Sequence, residues 1–475
     1  MILQRTGISN SKKGTADCFP VSVSKGLVER GGLGMTIRCL AVVLVMGLLF
    51  IPGCAMRPEL PFRPEQAPVQ PAETAVDREL SAAQQAAAGD KAFTWAWHKL
   101  GGLYPDPDGE LNSALSAMVD RLERRNGLSF PVHIAVVNHP RPAATVFPGG
   151  GIGLTRGLLQ VLGDESQVAA VIAHQMGHLQ AGHLQRPMAR KDLLTGLRVL
   201  ARMAGEGNSA SGYGADVVAA LAAARVLQEW EFTPEEERQA DRVAVALLRG
   251  AGYPPQALAQ AMRAVAAGRM EAFPPPERGK GWQYHPCSSG REREAFADVG
   301  VPTAAPPATG NLAPWRQRLI EESAGYLLYD QALQAERRND YRTAVAGYLQ
   351  AAAALPDDPL ILGRLGLAYL QEGDAGNARF YLEQALRKDP DHHDSLLGLG
   401  FFHLANRDFT AARQQLEKAM ALVPTLKGAY LLAEAWAGEG DLARARRLFT
   451  EVAQADPHGR FGPAAQKRLQ ELAGG

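Results

Sequence analysis

Ala173-His174-Gln175-Met176-Gly177-His178, within the apolar stretch 165–181, is the segment from which the rest of the chain is read. Histidines at i and i+4 lie on one helical face, a spacing that lets both imidazoles reach a single metal ion. Downstream, Glu235-Glu236-Glu237-Arg238-Gln239-Ala240-Asp241 reads as the start of a second helix, with Glu237 and Asp241 again one turn apart. Two histidines and a carboxylate from a second helix make a common catalytic zinc set, with a fourth position left open. His174, His178 and Glu237 are therefore the expected ligands of one zinc ion. Asp241 is placed to orient a ligating histidine from behind. His183 is set aside, because on a continued helix it lies about 140° from His178 and about 180° from His174. Glu165 lies too far along the helix axis to act at the metal.

Outward from this segment, helical patterning begins near Asp77 and runs through Leu111–Arg125. Val132–Val137 alternates around β-branched residues and reads as a strand. Phe147-Pro148-Gly149-Gly150-Gly151-Ile152-Gly153-Leu154 is turn-rich, with a helix expected from about Thr155. The stretch 205–214, rich in glycine, carries no apolar period and is expected to be a flap or lipid-facing loop. It has neither the spacing nor the preceding strand of a phosphate-binding loop. A proline-rich segment from Val301 to Pro314 then separates this first domain from the C-terminal part of the chain.

The C-terminal part repeats. Pro356, Pro390 and Pro424 are spaced by 34 residues and Pro457 comes after 33, with Ala344, Ala378, Ala412 and Ala445 in the same steps. This pattern resembles the tetratricopeptide repeat, a helix-turn-helix unit in which small alanines let paired helices approach and proline ends the second helix. About four repeats, roughly 325–460, are expected to form a curved solenoid whose concave face binds a protein or peptide. The expected fold class is thus mainly α, with a small β-sheet in the first domain, followed by an α-solenoid.

The N-terminal part reads as an export signal. Arg38 precedes an apolar run from Leu40 to Ile51, too short for an ordinary membrane span, and Ile51-Pro52-Gly53-Cys54 resembles a bacterial lipobox. Cys54 is the expected lipidation site, with an uncleaved anchor helix as the alternative. Expected boundaries are a doubtful extension at 1–34, a lipoprotein signal at 35–53, a proline-rich tether at 54–75, a metallopeptidase-like domain at 76–300, a linker at 301–320 and repeats at 321–475. With Cys18 and Cys39 removed alongside the leader and Cys54 lipidated, only Cys287 remains as a thiol. The 475 residues suit two or three domains, and 46% hydrophobic with 21% charged residues is a globular composition. The 50 basic and 50 acidic residues balance, so nothing points to nucleic acid.

Taken together, these motifs resemble the BepA, HtpX and Oma group of membrane-associated zinc metallopeptidases (peptidase family M48), in particular a bacterial periplasmic branch with a tetratricopeptide tail. The likeness covers roughly residues 76–300. It rests on Pro148-Gly149-Gly150 followed by Thr155-Arg156-Gly157-Leu158-Leu159, on the His174…His178 helix, on Glu237-Arg238-Gln239-Ala240-Asp241, and on His285-Pro286 with Arg291. The resemblance implies zinc on His174, His178 and Glu237. It implies an edge strand over Phe147–Leu154, with Phe147, Gly149, Gly150, Ile152 and Leu154 beside the cleft, binding extended substrate through main-chain hydrogen bonds. His285, in the Gly/Pro-bounded loop 274–290, is a candidate to reach the metal's open position, either blocking it or, with Arg291, helping to hold the reacting group; a surface His-Pro turn is the alternative. Unfolded or assembling envelope proteins are the implied partners. The implied location is the periplasmic face of the outer membrane, held by the lipid.

Two positions depart from the family pattern. Ala143 stands where an asparagine is usual, five residues before the Pro-Gly-Gly. More consequentially, Gln175 stands where the family's His-Glu-x-x-His has glutamate. That glutamate takes a proton from the attacking water and returns it to the leaving amine. A carboxamide can hydrogen-bond to water but cannot serve as its base. Three readings stay open: an active zinc endopeptidase, a pseudopeptidase that holds extended clients, and a repeat scaffold with a vestigial metal site.

Overall fold

The computed structural model describes residues 79–126, 131–206, 215–272 and 313–473. Cys54, the tether, His285, Cys287, Arg291, most of the glycine-rich stretch and the 301–312 part of the linker lie outside the described residues.

The first domain is built from helices α1 (Ala82–Lys99), α2 (Glu110–Asn126), α3 (Arg156–Val161), α4 (Glu165–Gln180), α5 (Gln185–Met188), α6 (Leu194–Glu206), α7 (Ala215–Gln228), α8 (Pro234–Ala251) and α9 (Ala257–Ala272). Local chemistry sets their starts. Ser81 with Gln84, and Thr233 with Glu236, form reciprocal capping boxes for α1 and α8, and Pro234 occupies the first turn of α8 where its missing N–H costs nothing. Asp164 caps α4 through Gln167 N–H. Gly252, at φ 73°, ends α8 in the left-handed region.

Between α2 and α3 lie three strands, β1 (His133–Val137), β2 (Ala144–Val146) and β3 (Gly151–Thr155), in the order β1-β3-β2. β3 runs parallel to β1, with His133 opposite Gly151, and antiparallel to β2, with Val146 opposite Ile152. The expectation of an edge strand over Phe147–Leu154 is therefore corrected. Ile152 and Leu154 sit in the middle strand, hydrogen-bonded on both sides, and β3 is buried along its whole length. Phe147, Gly149 and Gly150 form the turn that enters it, closed by Gly150 N–H donating to Phe147 O at 3.1 Å. Both glycines need their left-handed backbone (φ 93° and 94°), and a Cβ on Gly150 would lie 1.9 Å from Pro131 O. β2 is the outer strand that packs on α4.

After α10 (Ala313–Glu321), the repeats follow as helix pairs: α11 (Ser323–Arg337) with α12 (Tyr341–Ala354), α13 (Pro359–Glu372) with α14 (Ala375–Lys388), α15 (His393–Ala405) with α16 (Phe409–Leu422), and α17 (Leu426–Glu439) with α18 (Leu442–Ala455). α19 (Phe461–Ala473) covers the last pair. Ala344, Ala378, Ala412 and Ala445 are each 0% exposed at the centre of a pair. An aspartate that recurs at the same spacing, Asp340, Asp374, Asp408 and Asp441, caps the second helix of every pair.

The two halves share a core. One continuous apolar cluster runs from Leu111, Leu154 and Ile172 to Tyr326, Leu360 and Ala368, and a second joins Trp95, Phe147 and Val217 to Val423. Leu360 also packs against Gly101, so first helices of the repeats rest on the peptidase-like half rather than facing open solvent there. Burial, followed by the neighbouring His393 and His392, pushes His98 down to about 4 at this contact.

A buried polar knot pins the same junction. Arg156 is 2% exposed; its Nε donates to Asn138 Oδ1 at 2.9 Å and its guanidinium lies 3.7 Å from the Tyr326 ring centroid. Asn138 Nδ2 donates to Tyr326 Oη at 3.2 Å and to Asp358 Oδ2 at 3.3 Å, and the Tyr326 hydroxyl also donates to Asp358. The other Asp358 oxygen accepts from Leu360 and Ile361 N–H at 2.8 and 3.2 Å, capping α13.

Nearby, burial raises the Asp330 carboxyl to about 6, against the lowering pull of Arg156 and Arg337. A folded carboxyl that holds its proton more tightly than the unfolded one stabilises the fold fully below about pH 4 and loses that contribution as pH rises through about 6. Asp330→Asn is accordingly expected to match the parent at about pH 4 and to be more stable at pH 7, on the order of 2 kcal/mol. Urea denaturation midpoints at the two pH values measure it.

Candidate metal centre

The centre forms where α4 lies against α8. Gly177 allows the contact: a Cβ there would lie 2.6 Å from Ala240 O and 3.1 Å from Ala240 Cα. The helix that carries both histidines thus touches the backbone of the helix that carries Glu237. Gly177→Val is expected to push α8 away and weaken metal binding at least about tenfold. Competition against a chelator of known affinity reads the change.

His174 Nε2 and His178 Nε2 approach to 3.1 Å, with their rings nearly perpendicular at 85°. Glu237 Oε2 lies 3.5 Å from His174 Nε2, and Oε1 lies 4.0 Å from His178 Nε2. One ligand atom from each residue falls within 4.8 Å of the others, and the three residues are 5%, 0% and 1% exposed. A tetrahedral ion with bonds of about 2.0–2.1 Å separates its ligands by about 3.3–3.4 Å, close to these spacings.

Hydrogen bonding agrees with a cation in that space. Asp241 Oδ1 lies 2.9 Å from His174 Nδ1, so a carboxylate takes the Nδ1 hydrogen and leaves Nε2 as a lone pair aimed at the centre. Two imidazole lone pairs and a carboxylate converging out of water are mutually repulsive unless a cation joins them. The residues fit a metal ion. Gln175, on the same helix, is 1% exposed. Glu165 is engaged elsewhere, accepting from Tyr253 Oη at 2.8 Å.

His183 departs from its expected place. Helix α4 ends at Gln180, Gly182 turns left-handed at φ 71°, and His183 N–H donates to His178 O at 3.1 Å. Its ring folds back so that Nδ1 lies 2.9 Å from His178 Nδ1, and its Nε2 lies 3.2 Å from Gln239 Oε1. The helical angle that excluded it held only while the helix continued, and Gly182 was the signal that it stops. Phe232 was also missed. It stacks on the His178 ring at 3.8 Å with planes 30° apart, from a loop with no local pattern to mark it.

A helix-borne His-x-x-x-His facing a Glu from a second helix, beneath a three-stranded sheet, defines a metallopeptidase type of fold. In agreement, residues 106–297 match the description "Peptidase family M48", and residues 329–393 and 369–435 match tetratricopeptide repeats. The chain therefore carries a peptidase family M48 domain followed by tetratricopeptide repeats. Among curated proteins it is similar to the "Beta-barrel assembly-enhancing protease" of Yersinia pestis, 24% identical over 406 residues, which are 77% of this chain and 80% of that one. The Escherichia coli (strain K12) protein of the same description is 31% identical over 136 residues, 28% of each chain. A "Putative beta-barrel assembly-enhancing protease" of Vibrio cholerae is 28% identical over 295 residues, 59% of this chain and 56% of the relative.

Proposed function

We propose that this chain is a zinc-binding envelope lipoprotein that assists assembly or quality control of outer-membrane β-barrel proteins while cutting peptide bonds weakly or not at all. The observation that carries the reading is Gln175 set beside an intact ligand set. His174, His178 and Glu237 hold the metal, and Asp241 orients His174. Bound zinc supplies Lewis acidity to a carbonyl or a water in the site. The chain's own task would be to take a proton from that water and pass it to the leaving amine. Gln175 has no basic atom for the first transfer and no acidic proton for the second.

Extended clients are held along β2, the outer strand on the ligand helix, by main-chain hydrogen bonds. His285 and Arg291 act at the metal's open position. Lipid on Cys54 tethers the chain to the periplasmic face of the outer membrane, and repeat surface left open by the peptidase half docks a protein partner. The assembly role draws on what the similar Yersinia and Vibrio proteins are described as doing. Among the described residues, no helix is long and apolar enough to cross a membrane.

Purified chain is expected to hold about one zinc per molecule and to leave an unfolded outer-membrane protein uncut. Elemental analysis beside a cleavage assay tests both parts. Chain free of zinc after handling without chelators would favour a pure repeat scaffold, and rapid cleavage would favour an active endopeptidase.

A further inference from the structure

We infer that His183 and Gln239 form a hydrogen-bonded relay that fixes the metal-binding tautomer of His178, which makes His183 a positioning residue of the centre. The inference rests on the proposed zinc site. Its direction comes from Gln239. The side-chain oxygen, 3.2 Å from His183 Nε2, can only accept, so Nε2 carries the hydrogen. A neutral imidazole protonated at Nε2 offers Nδ1 as a lone pair. That lone pair lies 2.9 Å from His178 Nδ1, which must therefore donate. His178 is left with its lone pair at Nε2, the atom 3.1 Å from His174 Nε2 and 4.0 Å from Glu237 Oε1. Each contact fixes the next.

The same result is reached differently at the other histidine, where Asp241 takes the Nδ1 hydrogen directly at 2.9 Å. One turn of α8 thus supplies a ligand at 237 and the orienting groups of both ligating rings at 239 and 241. His183 stands between Gln239 of this turn and Nδ1 of the His178 ring. His183 is only 6% exposed, so water competes poorly for either nitrogen. Phe232, stacked on His178 and 6.1 Å from the His183 ring, restrains the ring planes while the relay sets the hydrogens.

The test uses full-length chain and zinc, with a chelating indicator as competitor. His183→Leu and Gln239→Leu are each expected to weaken zinc by about 10–100-fold. The double variant should be no weaker than His183→Leu, because Gln239 acts only through His183. His183→Gln, whose amide oxygen can accept the same hydrogen, should recover part of the loss. Nitrogen-15 NMR of the zinc-loaded parent should show His178 protonated at Nδ1, a readout that does not depend on any variant folding. A role in packing alone would lower the melting temperature of metal-free protein and leave zinc affinity within about twofold of the parent. That result, additive losses in the double variant, or His178 bound through Nδ1 would each overturn the relay. A parent that binds no zinc would overturn the metal-centre reading and the relay with it, whereas equal binding by parent and variants overturns the relay alone.

Discussion

Gln175→Glu is expected to raise peptide cleavage by this chain by about 10²–10⁴-fold, the usual worth of a positioned general base. The change is nearly isosteric, so the α4–α8 contact at Gly177 and the three ligands should be undisturbed. A carboxyl at a position only 1% exposed is pushed upward by burial, while a neighbouring cation pulls it down. The balance leaves a group able to take a proton near neutral pH and to return it. Cleavage of an unfolded outer-membrane protein by parent, Gln175→Glu and Gln175→Ala, each with zinc content measured, gives the answer. Parent and Gln175→Ala should be alike, and the glutamate variant should stand apart. A parent as fast as Gln175→Glu would sink the pseudopeptidase reading, because catalysis would then come from elsewhere.

Asp358→Ala is the second change with a large expected effect, a loss of about 3–5 kcal/mol, the usual result of removing one partner from a buried charged knot. Four contacts disappear together: two cap bonds to α13, the Tyr326 hydroxyl and the Asn138 amide. Arg156 would keep its buried charge while losing a carboxylate whose charge it offsets. Asp358→Asn retains the cap oxygen and removes a charge that burial already disfavours, so it should cost less than half as much. Urea denaturation followed through Trp95 and Trp315, which lie in the two joined clusters, should show both halves losing stability together. If only the repeats respond, the knot does not couple the halves.

The contrast between what local pattern reveals and what it hides runs through these residues. The clustering of His174, His178 and Glu237 was legible because the His174–His178 and Glu237–Asp241 spacings are each a property of one helix, and the repeats because Pro356, Pro390 and Pro424 keep step along the chain. The peptidase-like half was readable as helices and one strand at Val132–Val137, while β2 was not foreseen. What stayed hidden was set by distant partners. β3 becomes the middle strand because β1 and β2 flank it, whereas the family resemblance implied an edge. Arg156 was legible as part of a motif but not as the residue that reaches Tyr326, 170 positions away. His183 was lost to an extrapolated helix that Gly182 ends.

The shared apolar cluster has a consequence for how such a chain comes into being. During synthesis the peptidase-like half emerges first, yet the apolar surface that Leu360 covers beside Gly101 stays open until the second repeat has followed it. For that interval the protein is itself an incompletely folded polypeptide showing apolar surface, the same condition as the clients proposed for it. Repeats from a relative could not simply be grafted on, since they would have to complete a core begun some 200 residues earlier. In this molecule the boundary between two sequence families runs through the inside of one shared apolar core.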